Sequence, residues 1–556
     1  MEQTDYLIVG AGTGGCVLAA RLTEAGHSVC LLEAGADVDA VRTPDDIGSI
    51  YPLSLFNSSY AWADTPVRWG GPASPVTTLL QGRVVGGSSA IMGMFTSRGV
   101  PNDYALWEEA GAKGWGWDEV LPYFKRLETD ADFDGPDHGK AGPIPIMREA
   151  PSSLPPFAGD IALAAKEAGF AFIEDANGDF NDGFAPLPFS RTATRRGSAG
   201  LCYLTPIVRA RQSLRILERT QALRLLFEGR RVIGALVTGP DGRTRPLGAR
   251  RTILCAGALR SPELLLRSGI GPGAALQHAG VETIADRPGV GANLQNHPML
   301  YPLTVLRPKG RSKVSPRPIG SGLLRWSSDI AGGSPGDIVI YVNVGLSWHG
   351  LGQRLAALAP AVMAPASRGW VKLDPRAPQN PPEIVFNMLG DPRDVERLAA
   401  GFEVARRLIQ AAHLRGGCGP AFVLNDSGDS AQANIPSRKN AVIGAIGGAI
   451  ADLAPGLLMR QLRKAADLRE LAGWDPTAMQ AYAREAVTGA AHVAGTCRMG
   501  LAEDRLAVTS SDGSVHGVEG LHVADASVMP TVPSGSTHIP TIMVAEKIAD
   551  MLNRRR

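Results

Sequence analysis

Short apolar runs and one amphipathic stretch alternate at the start of the chain. Residues 6–9 form an apolar run typical of a buried strand, and apolar side chains recur at helical spacing between residues 17 and 25. A second apolar run ends at Leu32. The order strand, helix, strand predicts two parallel strands joined by a helix, and so an α/β fold.

A glycine-rich turn joins the first predicted strand to the helix. Gly10, Gly12 and Gly15 stand in the pattern Gly-x-Gly-x-x-Gly, with Thr13 and Gly14 between the last two. The first glycine permits a tight turn, the second lets a pyrophosphate approach the backbone, and the third lets the helix pack on the strand. The turn therefore predicts a dinucleotide site.

An acidic residue closes the second predicted strand. Glu33, followed by Ala34, lies about 20 residues beyond the glycines, where a carboxylate accepts a hydrogen bond from a ribose hydroxyl. A carboxylate there opposes a 2′-phosphate, so the pattern favours NAD or FAD over NADP.

A second glycine-rich stretch spans residues 82–99. Glycines followed by serines turn backbone N–H groups toward a polar or anionic part of a ligand. NAD does not need this second cradle, whereas the longer FAD does; a helix cap with small-residue packing is the alternative interpretation. The candidate residues here are Arg83, Val85, Gly86, Gly87, Ser88, Met92, Gly93 and Met94.

The middle of the chain predicts further strands and helices. Residues 214–256 alternate as strands do, with a hairpin turn at 240–242. Ser261 followed by Pro262 predicts the start of a helix that Gly269 ends.

The second half adds candidate strands and a possible substrate pocket. Residues 337–346, 360–373 and 383–387 predict strands, and a helix is expected from Asp391 to about residue 412. The candidate pocket residues are Tyr341, Asn343, Met363 and Trp370.

Residues 441–459 are unusually apolar. Asp452 and Pro455 interrupt the run. A buried helix pair is the favoured interpretation; the alternative is an apolar lid or docking surface for a greasy substrate, a membrane or an electron acceptor.

Composition limits the partners. The chain has 556 residues, 44% hydrophobic and 20% charged, with a formal net charge of +2. This length suffices for two domains, and the charge gives no field for nucleic acid or an anionic membrane. The six cysteines form no Cys-x-x-Cys pair, so neither a metal site nor a disulfide framework is expected. No signal peptide or membrane-spanning run is visible, so the expected location is cytoplasmic. The expected oligomeric state is a monomer or a homodimer.

Two histidines stand in glycine-rich loops near the carboxyl terminus. His492 and His538 are candidates for moving a proton, because imidazole titrates near neutral pH. Ile539, Pro540 and Thr541 open an apolar periodic run, and Pro540 suits the first turn of a helix. A helix N-terminus beside a histidine stabilises developing negative charge. Either histidine alone could equally be a polar loop residue.

Five motifs in this order resemble the glucose–methanol–choline (GMC) family of FAD-dependent oxidoreductases. The resemblance spans nearly the whole chain. It implies a Rossmann-like FAD-binding domain of α/β type, and an α+β substrate domain whose antiparallel sheet and helices roof the flavin ring. The motifs are residues 10–15 with Glu33, residues 82–99, residues 257–272, residues 289–298, and residues 492–500 with 525–541.

The resemblance also implies how the chain is divided. The FAD-binding domain would comprise residues 1–155, 195–298 and 489–556, the last carrying the catalytic motif. The substrate domain would comprise residues 156–194 and 299–488.

The same resemblance implies roles for site residues. His492 matches the catalytic base, His538 a position that is a second histidine or an asparagine, and Asp525 a residue that orients the cofactor arm. The cofactor-binding residues so implied are Gly10, Gly12, Thr13, Gly14, Gly15, Glu33, Ala34, the candidates of the second cradle, Ala222, Ala256, Gly257, Asp525, Ala526, His538, Ile539, Pro540 and Thr541.

Two positions depart from the family pattern. Met92 stands where members commonly have asparagine, and methionine cannot replace its hydrogen bonds. Ile91 stands where some members attach the flavin through a histidine, so FAD is expected to be non-covalent. Residues 141–146 and the aromatic pattern from Trp107 to Phe124 look closest to bacterial aryl-alcohol and hydroxymethylfurfural oxidases or pyridoxine oxidase.

The expected reaction is oxidation of a primary, aromatic or heteroaromatic alcohol to the aldehyde, with oxygen or another acceptor reoxidising the flavin. The chief alternative is a non-redox flavoprotein lyase of the hydroxynitrile-lyase type, which a histidine pair would serve equally well. A photodecarboxylase, a NAD enzyme and a simple binding module are disfavoured by the histidines and by the second glycine cradle.

Overall fold

The strand Gln3–Val9 lies inside a seven-stranded sheet. The structure is a computed structural model that describes residues 3–39, 41–63, 65–424, 432–461, 465–467 and 476–554. The parallel neighbours of Gln3–Val9 are Val29–Leu32 and Thr244–Leu254, as expected for a strand–helix–strand unit. An antiparallel pair, joined by the predicted turn at 240–242, extends the sheet. In spatial order the strands are Leu214–Leu217, Val29–Leu32, Gln3–Val9, Thr244–Leu254, Arg231–Thr238 and Gln221–Glu228, with Leu521–Val523 also on Thr244–Leu254.

The first and last helices of the chain cover this sheet together. Thr13–Glu24 packs against His538–Arg554, and both bury apolar side chains in one core with the central strands. Glu546 is fully buried between them and accepts three hydrogen bonds of 2.9–3.0 Å from Arg21, while Tyr203 donates a fourth at 2.7 Å. Residues from both ends of the sequence thus form one side of the sheet.

A ten-stranded sheet, antiparallel except at one edge, forms the second layer of structure. Its central strand Ile338–Val344 is buried on both faces. Because side chains alternate along a strand, Ile338, Ile340 and Val342 pack under the helix Pro392–Ile409, and Tyr341 and Asn343 face a cavity. In spatial order the strands are Ala465–Asp467, Cys418–Leu424, Pro302–Leu306, Leu355–Val362, Ile338–Val344, Gly320–Trp326, Gly183–Pro186 and Ala171–Phe172. Pro298–Met299 also pairs with Leu355–Val362, and Thr488–Gly489 pairs with Pro298–Met299.

Three small sheets and further helices complete the described structure. The sheets are Trp370–Lys372, Glu383–Val385, Pro66–Arg68 and Val76–Thr78; Glu128–Asp130, Ile144–Met147 and Phe189–Ser190; and Ile270–Gly271 with Ala285–Asp286. The other α-helices are Asp45–Gly48, Pro101–Glu109, Trp117–Leu127, Pro156–Glu167, Ala199–Tyr203, Pro206–Arg209, Gly257–Arg267, Gly273–His278, Arg438–Leu453, Pro455–Gln461 and Pro476–Ala486. The strands predicted at residues 337–346 and 383–387 are confirmed, as is the helix that Asp391 caps. The single strand predicted at residues 360–373 is wrong, because that stretch holds the end of Leu355–Val362, an irregular segment and the separate strand Trp370–Lys372.

Apart from the boundary strands Pro298–Met299 and Thr488–Gly489, the two large sheets use different stretches of chain. Strands of the first come from residues 1–155, 195–298 and 489–556, and those of the second from residues 156–194 and 299–488. The division into two domains at those boundaries stays a prediction.

The helix predicted to start at Ser261 and Pro262 begins earlier, at Gly257, so that prediction was wrong. A proline inside a helix leaves the carbonyl four residues before it without its N–H donor. Here the hydroxyl of Thr496 donates to that carbonyl, of Ala258, at 2.6 Å. A contact from a distant loop therefore compensates for Pro262.

Residues 441–459 form the predicted helix pair, Arg438–Leu453 and Pro455–Gln461, but the predicted burial is wrong. Val442, Ile446 and Leu453 are 59%, 57% and 87% exposed. Apolar residues occupy both faces of the first helix, and the face with small residues approaches the protein: a Cβ on Gly444 would lie 2.6 Å from His349. Close backbone approach thus decides which face is buried. In the described part of the chain, no helix combines the length and apolarity needed to cross a membrane.

Candidate active site

A cavity of about 470 Å³ brings together both glycine-rich stretches and both C-terminal histidines. Cavities of this size hold cofactors and small ligands. Most of the predicted site residues contribute to its wall. They are Gly10, Gly12, Thr13, Gly14, Glu33, Ala34, Gly87, Ser88, Met92, Gly93, Met94, Ala222, Ala256, Gly257, His492, Asp525, Ala526, His538 and Thr541.

Six predicted residues lie behind the wall. Gly15 packs the first helix on the turn, since a Cβ there would lie 2.0 Å from the carbonyl oxygen of Gly10. Gly86 donates its N–H to the carbonyl of Ala11 at 2.8 Å and so ties the two glycine-rich stretches together. The other four are Arg83, Val85, Ile539 and Pro540.

The two glycine cradles touch, and only glycine permits it. Gly10 has φ +99°, and a Cβ on it would lie 2.6 Å from the carbonyl oxygen of Cys255. Gly87 has φ +55°, and a Cβ on it would lie 2.9 Å from the Cα of Gly12. A left-handed φ and a close backbone contact both require glycine. Because these glycines bring the two cradles into contact, both cradles can lie against one elongated ligand.

Two buried carboxylates organise the loops of the cavity wall. Glu33 accepts from the backbone N–H groups of Ala11 at 3.1 Å and Gly35 at 2.8 Å. Burial raises its pKa to about 7. Asp525 accepts from the N–H of Gly257 at 2.8 Å and the hydroxyl of Ser261 at 2.6 Å, and burial raises its pKa. Through these hydrogen bonds, each carboxylate holds the loops that line the cavity in place. Direct contact of either carboxylate with the cofactor stays a prediction.

His492 contacts a second buried histidine. Its Nδ1 lies 2.9 Å from Nδ1 of His297, and the rings meet nearly perpendicular. The backbone N–H groups of both residues donate to Asn296 Oδ1 at 2.9 Å. Burial lowers the pKa of His492 to about 4, so at neutral pH the ring is uncharged and able to accept a proton. With Nδ1 engaged, Nε2 is the nitrogen left to act in the cavity.

His538 begins the last helix, and Pro540 lies in its first turn as predicted. It lines the cavity, and neither ring nitrogen has a hydrogen-bond partner within the described structure. Burial, with a smaller effect from Arg196, lowers its pKa to about 4. An uncharged imidazole at a helix N-terminus supplies a polar group without adding a positive charge.

The contact of His297 with His492 was not predicted from the sequence. His297 lies in the 289–298 motif but 195 positions from His492, so no local pattern pairs them. Trp62, which was not among the predicted site residues, also lines the cavity, and the guanidinium of Arg260 lies 4.5 Å from its ring centre. Of the predicted pocket residues, Tyr341 and Asn343 line the cavity, whereas Met363 and Trp370 do not.

Among the described residues, one group has metal-ligand chemistry: Glu128, Asp130 and His138. Arg98 pairs with Glu128, and Arg148 binds Asp130 through 2.8 and 2.9 Å hydrogen bonds. Burial opposes a charge on His138, but hydrogen bonds to its acidic neighbours outweigh it and raise its pKa to about 10. Each carboxylate already pairs with an arginine, and His138 lies between the two carboxylates, so this cluster is an internal salt-bridge network.

The cavity fits an extended dinucleotide that carries a ring system at one end. Two cradles in contact suit a longer molecule than one phosphate turn would need, and the histidines lie on the same cavity wall. By fold and site the chain is thus a dinucleotide-binding protein.

Comparisons with known proteins agree. Models of the GMC oxidoreductase family match residues 4–299 and 365–545. The chain therefore belongs to the GMC oxidoreductase family, and its cofactor is FAD.

Three relatives illustrate the similarity. A 5-(hydroxymethyl)furfural oxidase of Methylovorus sp. (strain MP688) is 36% identical, over 99% of this chain and 98% of its own length. An oxygen-dependent choline dehydrogenase of Brucella anthropi is 30% identical, over 99% and 95%. The crystal structure of pyridoxine 4-oxidase from "Mesorbium loti" superposes with a TM-score of 0.82 at 28% identity, with both chains fully covered.

We expect FAD to be released when the protein is denatured. Ile91 is 1% exposed, packs in an apolar cluster and has no atom able to bond to the flavin. Acid precipitation followed by centrifugation should leave the yellow colour in the supernatant. Colour that stays with the washed pellet would contradict non-covalent binding.

Proposed function

We propose that this chain oxidises an uncharged primary alcohol with an aromatic or heteroaromatic ring to its aldehyde. The observation that carries the proposal is His492, a neutral imidazole in the cavity wall with one nitrogen fixed and the other free. Removal of the hydroxyl proton by such a base is what makes hydride departure from the adjacent carbon possible.

The wall around the substrate is apolar and aromatic. The rings of Phe95 and Tyr341 stack at 5.4 Å, and Asn343 offers an amide oxygen without a partner in the described structure. Flat rings pack on such a surface, and a charged group would find no counter-ion among these residues. The residues concerned are Phe95, Met299, Tyr301, Ile319, Tyr341, Asn343 and Leu346.

Each residue has a defined part in this proposal. Bound FAD supplies the hydride acceptor. Nε2 of His492 takes the hydroxyl proton, and His538 positions the alcohol or supports that transfer. The N-terminus of the last helix adds a positive dipole where negative charge develops.

The relatives support this choice of reaction. Their names include an oxidase of hydroxymethylfurfural, a furan alcohol, and an oxidase of pyridoxine, a pyridine alcohol. None of those named above is a lyase, so the hydroxynitrile-lyase alternative has no support from them. We further propose oxygen or another small acceptor as oxidant, a monomer or homodimer, and a cytoplasmic location, with which six free cysteines agree.

Anaerobic mixing with a panel of alcohols tests the function. Benzylic, furanic and pyridine alcohols should bleach the flavin, and aliphatic and cationic alcohols should do so weakly. Admitting air then separates oxidase from dehydrogenase by how fast the yellow returns. An unbleached flavin with every aromatic alcohol would refute the proposal.

The pH dependence of kcat/KM should report the lowered pKa of His492. The base works only unprotonated, so the rate should stay level from neutral pH down to about pH 5 and fall tenfold per pH unit below about 4. Flavin absorbance at each pH confirms that FAD stays bound. A fall centred near 6.5, the ordinary histidine value, would contradict the burial effect.

A further inference from the structure

We propose that His297 is a positioning residue that sets the tautomer of His492: it accepts the Nδ1 proton of His492 and so leaves Nε2 of that ring bare in the cavity. The inference rests on the proposed function of His492 as base. A neutral imidazole carries one proton on one of two nitrogens, and only the bare nitrogen can take a proton from an alcohol.

The contact between the rings requires one donor and one acceptor. At 2.9 Å between the two Nδ1 atoms, a proton lies on one of them. Burial, and then the charge that each ring would present to the other, holds the pKa of His297 well below its ordinary value. Both rings are therefore neutral at pH 7, and the question is which of them donates.

Access to the cavity decides the direction. His492 lines the cavity, whereas the ring of His297 is fully buried and does not line it. An alcohol in the cavity can lose its proton only to a bare nitrogen of His492, and Nδ1 of that ring is engaged by His297. The proposed function therefore requires His492 to donate from Nδ1, and His297 to present a lone pair at Nδ1 and to carry its own proton on Nε2.

The backbone holds this pair in register. Strands Pro298–Met299 and Thr488–Gly489 pair antiparallel, and Gln295 and Ala494 exchange hydrogen bonds of 3.0 and 3.1 Å on the other side of the histidines. Asn296 Oδ1 accepts both histidine N–H groups. The ring contact is therefore supported from both sides, as a precise proton acceptor requires.

The test uses the holoenzyme with ¹⁵N-labelled histidine. Solid-state ¹⁵N spectra, with the His492 signals assigned by their loss in His492→Ala, should show a protonated Nδ1 and a bare Nε2. A protonated Nε2 in the wild-type enzyme would overturn the proposal. This measurement needs no turnover, so it is separate from the proposed function, which is tested by flavin bleaching with aromatic alcohols and by flavin reduction in His492→Ala.

Two variants separate tautomer control from packing. His297→Asn can place an amide oxygen where Nδ1 was, whereas His297→Leu keeps bulk without an acceptor. The leucine variant should reduce flavin about tenfold more slowly at unchanged substrate Kd, and the asparagine variant should recover most of the rate. FAD content and Tm show whether both fold. Equal losses in the two folded variants would overturn the proposal; if the leucine variant does not fold, the ¹⁵N reading still decides.

Discussion

His492→Ala should bind FAD normally and lose flavin reduction by about 10²–10⁴-fold, the contribution of a positioned general base. The side chain touches the substrate end of the cavity and His297, and none of the hydrogen bonds that shape the glycine turns depends on it. The chemistry should therefore fail without loss of the cofactor. Anaerobic stopped-flow with a furanic or benzylic alcohol measures the rate.

The matched control is His278→Ala, an exposed histidine at the end of a short helix outside the cavity. It should reduce flavin at the wild-type rate. FAD-to-protein ratios from absorbance show that both variants are loaded. Near-normal flavin reduction in His492→Ala would show that His492 is not the base. A low FAD-to-protein ratio in this variant would instead assign His492 to cofactor binding.

The first glycine turn could be predicted from sequence because backbone geometry leaves no other residue there. Gly10 needs a left-handed φ and Gly15 a close helix contact, and both requirements are local. The pairing of His492 with His297 could not be predicted, since the two residues lie 195 positions apart in the chain. Local constraints leave a pattern in the sequence, whereas contacts made by tertiary packing do not.

The exposed helix pair shows the same limit. Its run of apolar residues from Ala441 to Leu453 predicts burial, but apolarity does not say which face approaches the protein. Gly444 and Gly448 mark the face that approaches the protein, because they lie against His349 and Arg354. Only the folded structure brings these residues together. The helix start at Gly257 likewise depends on a hydroxyl from a distant loop.

Gly10→Ala should give a protein without FAD, while Gly26→Ala should keep it. Both glycines have a left-handed φ, +99° and +85°, and both flank the helix Thr13–Glu24. Alanine in that conformation costs roughly 1–2 kcal/mol at either position. They differ in their surroundings: a Cβ on Gly26 meets nothing within 4 Å, but a Cβ on Gly10 would lie 2.6 Å from the carbonyl oxygen of Cys255.

That contact is with backbone, so no side chain can turn aside to relieve it. Either the strand end at Cys255 or the turn at Gly10 must shift, and both form the wall of the cavity in which we expect FAD to bind. A ligand that binds only the folded state stabilises it by about 2.7 kcal/mol at a hundred times its Kd. Added FAD should therefore raise the Tm of the wild type and of Gly26→Ala and leave Gly10→Ala unchanged. If Gly10→Ala kept FAD and lost only as much Tm as Gly26→Ala, backbone strain alone would explain the glycine, and the close approach would not matter for binding.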